Sequence, residues 1–149
     1  MRRYLICLLL LLSACATRPQ APVTAPVPAA PAAPAAPSIP PPGKAEVHIY
    51  RRAIPLGPTV LSIYDGARSL GALPVGTYIQ YYADPGPRSL KAVGQGSSSI
   101  PYATTFVTGH SYYFSVYFLG DQQSGNASLA PVDAAKATAQ LAALKPSSP

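Results

Sequence analysis

The sequence from Lys44 onward predicts an all-β fold, a small antiparallel β-sandwich-like domain with a short C-terminal helix. The first observation is that nine of the ten tyrosines and all three phenylalanines lie between residues 50 and 118. The second is that short β-prone runs alternate with turn residues at intervals of roughly 8–12 positions, as in sandwiches and barrels. The third is the length of 149 residues, which allows one domain with a modest core but not two.

Eight strands follow from these runs, and two turn sequences separate them most clearly. Asp65-Gly66 predicts a hairpin with a type I′ turn, because that turn needs positive φ. The Asp-Pro-Gly-Pro sequence at residues 84–87 combines residues that favour tight turns. The predicted strands cover residues 45–51, 59–64, 69–73, 77–83, 88–93, 103–108, 111–119 and 128–132.

The strand predicted over residues 111–119 carries aromatic side chains on both faces. The alternation of a strand places Tyr112, Phe114, Val116 and Phe118 on one face and Tyr113, Ser115 and Tyr117 on the other. This pattern favours a central strand. The alternative is a strand whose outer face is a contact surface.

Residues 133–149 form the predicted C-terminal helix and tail. Asp133 is suited to cap the first turn, Lys145 favours the C-terminal end of the helix dipole, and Pro146 prevents continuation. A narrow apolar stripe at helical spacing is expected to pack on the sheet or on a partner. It consists of Ala134, Ala137, Leu141 and Leu144.

The first fifteen residues have the layout of a secretory signal peptide. Two arginines follow the initial methionine, and residues 4–12 form a short apolar run that is too short for a transmembrane helix. The run ends in Leu12-Ser13-Ala14-Cys15, which resembles the lipobox of bacterial lipoproteins.

The lipobox resemblance implies that residues 1–14 are removed and that Cys15 is the lipidation site. A thiolate is a good nucleophile for accepting a diacylglyceryl group, and the new amine is then acylated, with palmitate as the expected chain. More than one acyl chain gives stable anchoring in a bilayer. Ala16 is not an aspartate, which in this family implies sorting to the outer membrane, with the folded part facing the periplasm.

Residues 15–43 are predicted to form a Pro/Ala-rich disordered linker between the anchor and the β domain of residues 44–132. Ten of the 19 prolines fall between Arg18 and Gly43. From Pro28 to Pro40 they recur every third residue, the period of polyproline II. At about 3.1 Å per residue, some 28 residues would span about 85 Å when extended. A spacer is the first interpretation; the alternatives are a Pro-rich ligand for an aromatic groove and a segment that threads the cell wall.

A second resemblance covers about 100 residues of the β domain. Bacterial lipoproteins carry a small all-β domain of unassigned function with a recurring series of short motifs. The corresponding segments here, in the same order, are Ile49-Tyr50-Arg51, Ile63-Tyr64-Asp65-Gly66, Leu70-Gly71-Ala72-Leu73, Gly76-Thr77-Tyr78, Pro85-Gly86 and Gly109-His110-Ser111-Tyr112-Tyr113. The resemblance implies a β-sandwich-like fold on an envelope lipoprotein, and it brings no catalytic residues.

The β domain shows no pattern that predicts an enzyme, a metal centre or a cofactor. His48 and His110 lack the spacing of metal ligands, and both are expected to make local hydrogen bonds. The serines at 97–99 lie in a Gly-flanked loop without the surroundings of a hydrolase nucleophile. A triad assembled from separate loops stays open as an alternative.

The net charge of +6 falls to +4 once Arg2 and Arg3 are removed with the signal peptide. The remaining basic residues do not form the clustered stripe of a nucleic-acid-binding surface. Arg51-Arg52 is an adjacent pair, and Arg51 is a candidate partner for Glu46 or Asp65.

We therefore predict a membrane-anchored, non-catalytic binding or scaffolding module for an envelope protein or cell-wall polysaccharide. The alternatives are a structural or stress-linked lipoprotein without a specific ligand and a hydrolase.

Overall fold

A computed structural model describes residues 39–120 and 125–147, and it confirms the all-β fold with a short C-terminal helix. β1 and β4 have the predicted bounds, and the other predicted strands are shifted at their ends by at most three residues. The elements are β1 (Ala45–Arg51), β2 (Val60–Asp65), β3 (Arg68–Pro74), β4 (Thr77–Ala83), β5 (Gly86–Gly94), β6 (Ser97–Ser98), β7 (Tyr102–Phe106), β8 (Ser111–Gly120), β9 (Gly125–Pro131), α1 (Ala134–Leu141) and β10 (Lys145–Pro146).

The predicted signal peptide, Cys15 and most of the predicted linker precede residue 39, so these predictions lie outside the described residues. Among residues 39–120 and 125–147, no helix has the length and apolar character needed to cross a membrane.

The strands form two sheets. The first has the order β10-β4-β1-β8-β9, and the second has the order β3-β2-β5-β6, with β7 pairing the other part of β5. The chain passes between the sheets after β1, β3, β4 and β7, so neither sheet is a simple meander. β8 lies between β1 and β9, which confirms that it is a central strand.

Most strand pairs are antiparallel, as predicted, but two pairs in the first sheet are parallel. β1 runs parallel to β8 with Glu46 opposite Ser111 and Arg51 opposite Val116. β10 runs parallel to the first residues of β4. Parallel neighbours cannot be joined by a hairpin, so both pairings unite segments that are distant in sequence.

The core lies between the sheets and is built from alternate residues of their strands. β1 supplies Ala45, Val47 and Ile49, all fully buried. The other strands contribute Leu61, Ile63, Leu73, Ile79, Tyr81, Leu90, Phe106, Phe114, Val116, Phe118 and Leu129. β1 is buried on both faces, and its polar residues Glu46, His48 and Arg51 are buried with it.

The predicted hairpin at Asp65-Gly66 forms, but its turn differs from the predicted type. Asp65 pairs with Arg68, so the two loop residues are Gly66 and Ala67. Gly66 has a φ of 59°, and no described non-glycine residue has a positive φ. A type I′ turn needs positive φ at both loop residues, whereas type II′ needs it at the first alone. The type I′ prediction is therefore wrong, and the turn fits type II′.

The C-terminal helix begins where predicted. The Asp133 carboxylate accepts hydrogen bonds from the backbone N–H groups of Ala135, at 2.9 Å, and Lys136, at 3.4 Å. Ala137 is fully buried, and Gln140 Oε1 accepts a 2.6 Å hydrogen bond from the hydroxyl of Tyr50 in β1. The helix therefore docks on the first sheet of its own chain.

The predicted extension of the helix towards Lys145 is wrong. α1 ends at Leu141, and Lys145 and Pro146 form the edge strand β10. The Lys145 N–H donates to Gly76 O at 3.2 Å and the Ser147 N–H to Tyr78 O at 2.7 Å. Pro146 has no N–H to donate, which an edge strand tolerates. Sheet hydrogen bonds thus replace the last helical turn.

Candidate functional site

The first candidate site lies at the end of β1, where an arginine occupies an inward-facing position. Val47 and Ile49 belong to the core, and Arg51 follows them in the same alternation. Its residue exposure is 3%. Strand pairing places it beside Val116 of β8. The strand therefore directs a guanidinium group into the end of the sandwich rather than into solvent.

The Arg51 guanidinium has one protein partner and one free amino group. Nη2 donates a 2.7 Å hydrogen bond to the backbone oxygen of Leu56, whereas Nη1 is buried without a hydrogen-bond partner. Burial lowers the pKa of Arg51 from its ordinary value. An arginine nevertheless stays charged at neutral pH, so the site contains a buried cation with an unused donor.

The predicted ion pair of Arg51 with Glu46 or Asp65 does not form. Glu46 lies on the opposite face of β1, where its carboxylate contacts His48 at 3.3 Å. Asp65 lies 3.7 Å from Arg88. The remaining described carboxylates are also engaged, Asp84 with Lys44 and Asp133 with the N-terminus of α1. The fifth, Asp121, lies outside the described residues.

Arg51 borders a cavity of about 280 Å³, which we call the Arg51 cavity. Its other walls are formed by Arg52, Ile54, Leu56, Val116, Tyr117 and Phe118. Ile54 and Leu56 are 40% and 53% exposed, which leaves large apolar side chains at the mouth. An apolar wall with a few convergent polar groups is typical of small-molecule sites.

The loop of residues 52–59 holds one side of the cavity. The Ile54 N–H donates to Arg52 O, and the Leu56 N–H donates to Ile54 O, each at 2.8 Å. These bonds join residues two apart, as in γ-turns. Gly57 has a φ of 75°, and a Cβ atom there would collide with the Phe118 ring. The loop thus lies directly on β8 through a position that requires glycine.

A second candidate site is a polar cluster on the outer face of the first sheet, centred on Glu46. The Glu46 carboxylate accepts hydrogen bonds from Gln80 Nε2 at 2.6 Å and from Ser111 Oγ at 3.1 Å, and lies 3.3 Å from His48 Nε2. His48 stacks on Tyr113 with ring centroids 4.9 Å apart. Burial lowers the pKa of His48, although the Glu46 carboxylate opposes this shift.

The order of contacts in the Glu46 cluster differs from that of a nucleophilic triad. In a triad the hydroxyl hydrogen-bonds to the imidazole, and the carboxylate orients the other ring nitrogen. Here the Ser111 hydroxyl donates to Glu46 instead, and His48 Nδ1 is buried without a hydrogen-bond partner. The arrangement holds the imidazole in place but does not activate Ser111.

The other side chains singled out from the sequence do not converge. His110 Nδ1 lies 3.1 Å from Thr108 O in an exposed turn, a local contact as predicted. Ser99 Oγ accepts a 2.8 Å hydrogen bond from the Ala92 N–H. Across residues 39–120 and 125–147, no group of three or more His, Cys, Asp or Glu side chains is placed to hold a metal ion.

A third site is an open depression beside the β2–β3 hairpin, lined by Asp65, Arg68 and Arg88 among others. Tyr81 donates a 3.4 Å hydrogen bond to Asp65 Oδ2, and burial next to this carboxylate raises the pKa of Tyr81. Asp65 Oδ2 is thus engaged by Tyr81 and Arg88, whereas Oδ1 is buried without a hydrogen-bond partner. Because the Asp65 carboxylate offsets part of the positive charge of Arg68 and Arg88, the depression is a weaker candidate for a ligand site than the Arg51 cavity.

From the sequence, Arg51 is expected to be an ion-pair partner, and no cavity is predicted beside it. A signal was present, because Arg51 shares the alternation of Ala45, Val47 and Ile49 and so belongs to the buried face of β1. The apolar loop residues Ile54 and Leu56 beside it were a second signal. Neither signal shows that Val116 and Phe118 complete the walls.

Comparison with protein-family models, with curated proteins and with solved structures returned no match to this chain.

Proposed function

We propose that this chain is a lipid-anchored envelope lipoprotein whose β domain is a non-catalytic binding module. The Arg51 cavity carries the binding part of this proposal, because it combines a buried, unpaired donor with apolar walls. Burying a cation without a partner is costly. A buried arginine without a carboxylate partner therefore favours the binding of an anionic ligand.

The lipobox motif and the linker support the location in the proposal. Acylated Cys15 is the proposed contact with the bilayer, in the outer membrane, and residues 15–43 separate it from a module that faces the periplasm. The proposed ligand is an envelope component. The competing possibility is a structural lipoprotein in which anchor and linker act without a specific ligand.

The test uses the acylated full chain in phospholipid vesicles. Vesicles are mixed with envelope protein, polysaccharide and lipid fractions, and the retained material is measured at increasing concentrations. The matched control is a chain that lacks residues 44–132 but keeps Cys15 and the linker. We expect saturable retention of one fraction by the full chain alone. Equal retention by both chains would reject the binding module and leave the structural role.

A further inference from the structure

We propose that the Arg51 cavity binds a medium-chain carboxylate, with the carboxylate against the Arg51 guanidinium and the alkyl chain along Leu56 and Phe118. This inference rests on the proposed binding function and names its ligand class. It does not depend on the anchor.

The charge of the ligand follows from the state of Arg51. Nη2 donates to Leu56 O, and Nη1 is buried without a hydrogen-bond partner. The described carboxylates all have other partners. Arg52 adds a second, exposed cation to the cavity wall, which attracts anions towards the mouth. Because Arg51 lines the cavity, an anionic group bound there would compensate the charge of the guanidinium.

The rest of the ligand follows from the walls and the volume. Ile54, Leu56, Val116 and Phe118 offer aliphatic and aromatic surface and no side-chain hydrogen bonds. The cavity of about 280 Å³ equals the volume of about nine water molecules at roughly 30 Å³ each. A carboxylate with a chain of about eight carbons matches this size. A longer chain would extend past the exposed Leu56 into solvent.

The experiment measures octanoate binding to the full chain by isothermal titration calorimetry. Three control ligands are titrated in the same way. Octanol has the alkyl chain without the charge, octylammonium has the chain with the opposite charge, and acetate has the carboxylate without the long chain. We expect saturable one-to-one binding of octanoate and at least tenfold weaker binding of the other three. Charge-assisted hydrogen bonds and the burial of several methylenes are each large enough for such a factor.

The first variant is Arg51→Met, which keeps an unbranched apolar side chain and removes the charge. We expect octanoate affinity to fall at least tenfold. Arg68→Met is the matched control, since Arg68 is exposed and borders the depression at the β2–β3 hairpin instead. It should bind octanoate as the wild type does.

The second variant pair keeps Arg51 and alters the cavity wall. Leu56→Glu places a carboxylate beside the guanidinium, where it should replace the ligand, abolish octanoate binding and raise the melting temperature. Leu56→Gln has the same size without the charge and should retain more of the binding. Leu56 is 53% exposed on a loop, so both variants are expected to fold even if Arg51→Met does not.

Several outcomes would overturn the inference. These are no octanoate binding, equal affinity for octanol, or unchanged affinity in Leu56→Glu. If the vesicle assay still shows retention in that case, the module binds elsewhere and the proposed function stands. If both assays are negative, the proposed function fails as well.

Discussion

At the scale of single residues, the sandwich buries the side chains of Glu46, His48, Arg51 and Asp65. Glu46 has Gln80, Ser111 and His48 around it. Asp65 shares a hydrogen bond with Tyr81. Arg51 pairs with none of the described carboxylates, and its Nη1 is buried without a hydrogen-bond partner, as are Nδ1 of His48 and Oδ1 of Asp65. Buried polar groups are normally satisfied, which is why Arg51 marks the candidate ligand site.

His48 should make stability depend on pH. Its pKa lies below the ordinary value of 6.5 because burial disfavours the imidazolium. The unfolded chain therefore binds the proton at higher pH than the folded chain does. The free energy of unfolding should then decrease as the pH falls below 6.5 and level off below the lowered pKa.

Urea denaturation between about pH 5 and pH 8 tests this dependence. His48→Gln should remove the His48 contribution to the slope, whereas His110→Gln, at an exposed position, should keep it. Identical slopes in the wild type and His48→Gln would contradict the assignment.

At the scale of elements, the ends of strands and helices depend on what packs against them. The helix predicted to extend to Lys145 stops earlier, because the segment at residues 145–146 pairs with the edge of β4 and forms β10. The 52–59 loop is likewise fixed by β8, through the contact between Gly57 and Phe118. Loops that border a site are thereby held by the scaffold beneath them.

Gly57→Ala should destabilise the protein more than Gly109→Ala does. Both glycines have nearly the same φ, 75° and 76°, so both substitutions carry a left-handed backbone cost of about 1–2 kcal/mol. A Cβ at Gly109 would meet open space, but one at Gly57 would collide with Phe118. We expect about 1–3 kcal/mol more loss for Gly57→Ala, as for overpacking in a core, measured by urea denaturation. Equal losses would show that the loop moves away freely.

At the scale of the whole molecule, the two sheets are interwoven. The chain moves between them four times, and β1 pairs with β8 although β2 to β7 lie between them in the sequence. Such long-range pairing fixes residues at the end of β1 relative to those near the end of β8. The Arg51 cavity is a product of that pairing.

The proposed anchor belongs to this scale too, and intact-mass spectrometry of membrane fractions tests it. We expect the mass to show loss of residues 1–14 and addition of acyl chains. Cys15→Ala should abolish both changes, because the lipid acceptor is gone. Cys7→Ala is the matched control, as Cys7 lies within the segment that is removed. An unmodified wild-type chain would reject the anchor.

Much of the fold was predictable because its signals are local. Strand bounds followed from alternating and aromatic residues, as in β1 and β4, and the start of α1 followed from the side chain of Asp133. The turn at Gly66 was located correctly, but its type depends on the conformation of Ala67 as well. An Asp-Gly pair alone does not specify how the two strands align around the turn.

By itself the sequence determined the all-β class, the order of strands, the capped helix and the lipobox resemblance, because each depends on neighbouring residues. The tertiary structure decided the parallel pairing of β1 with β8, the edge strand β10 and the walls around Arg51. These features depend on free energies of packing between segments far apart in the chain. An arginine at the end of a strand has the same local pattern whether it faces a carboxylate, solvent or an apolar cavity.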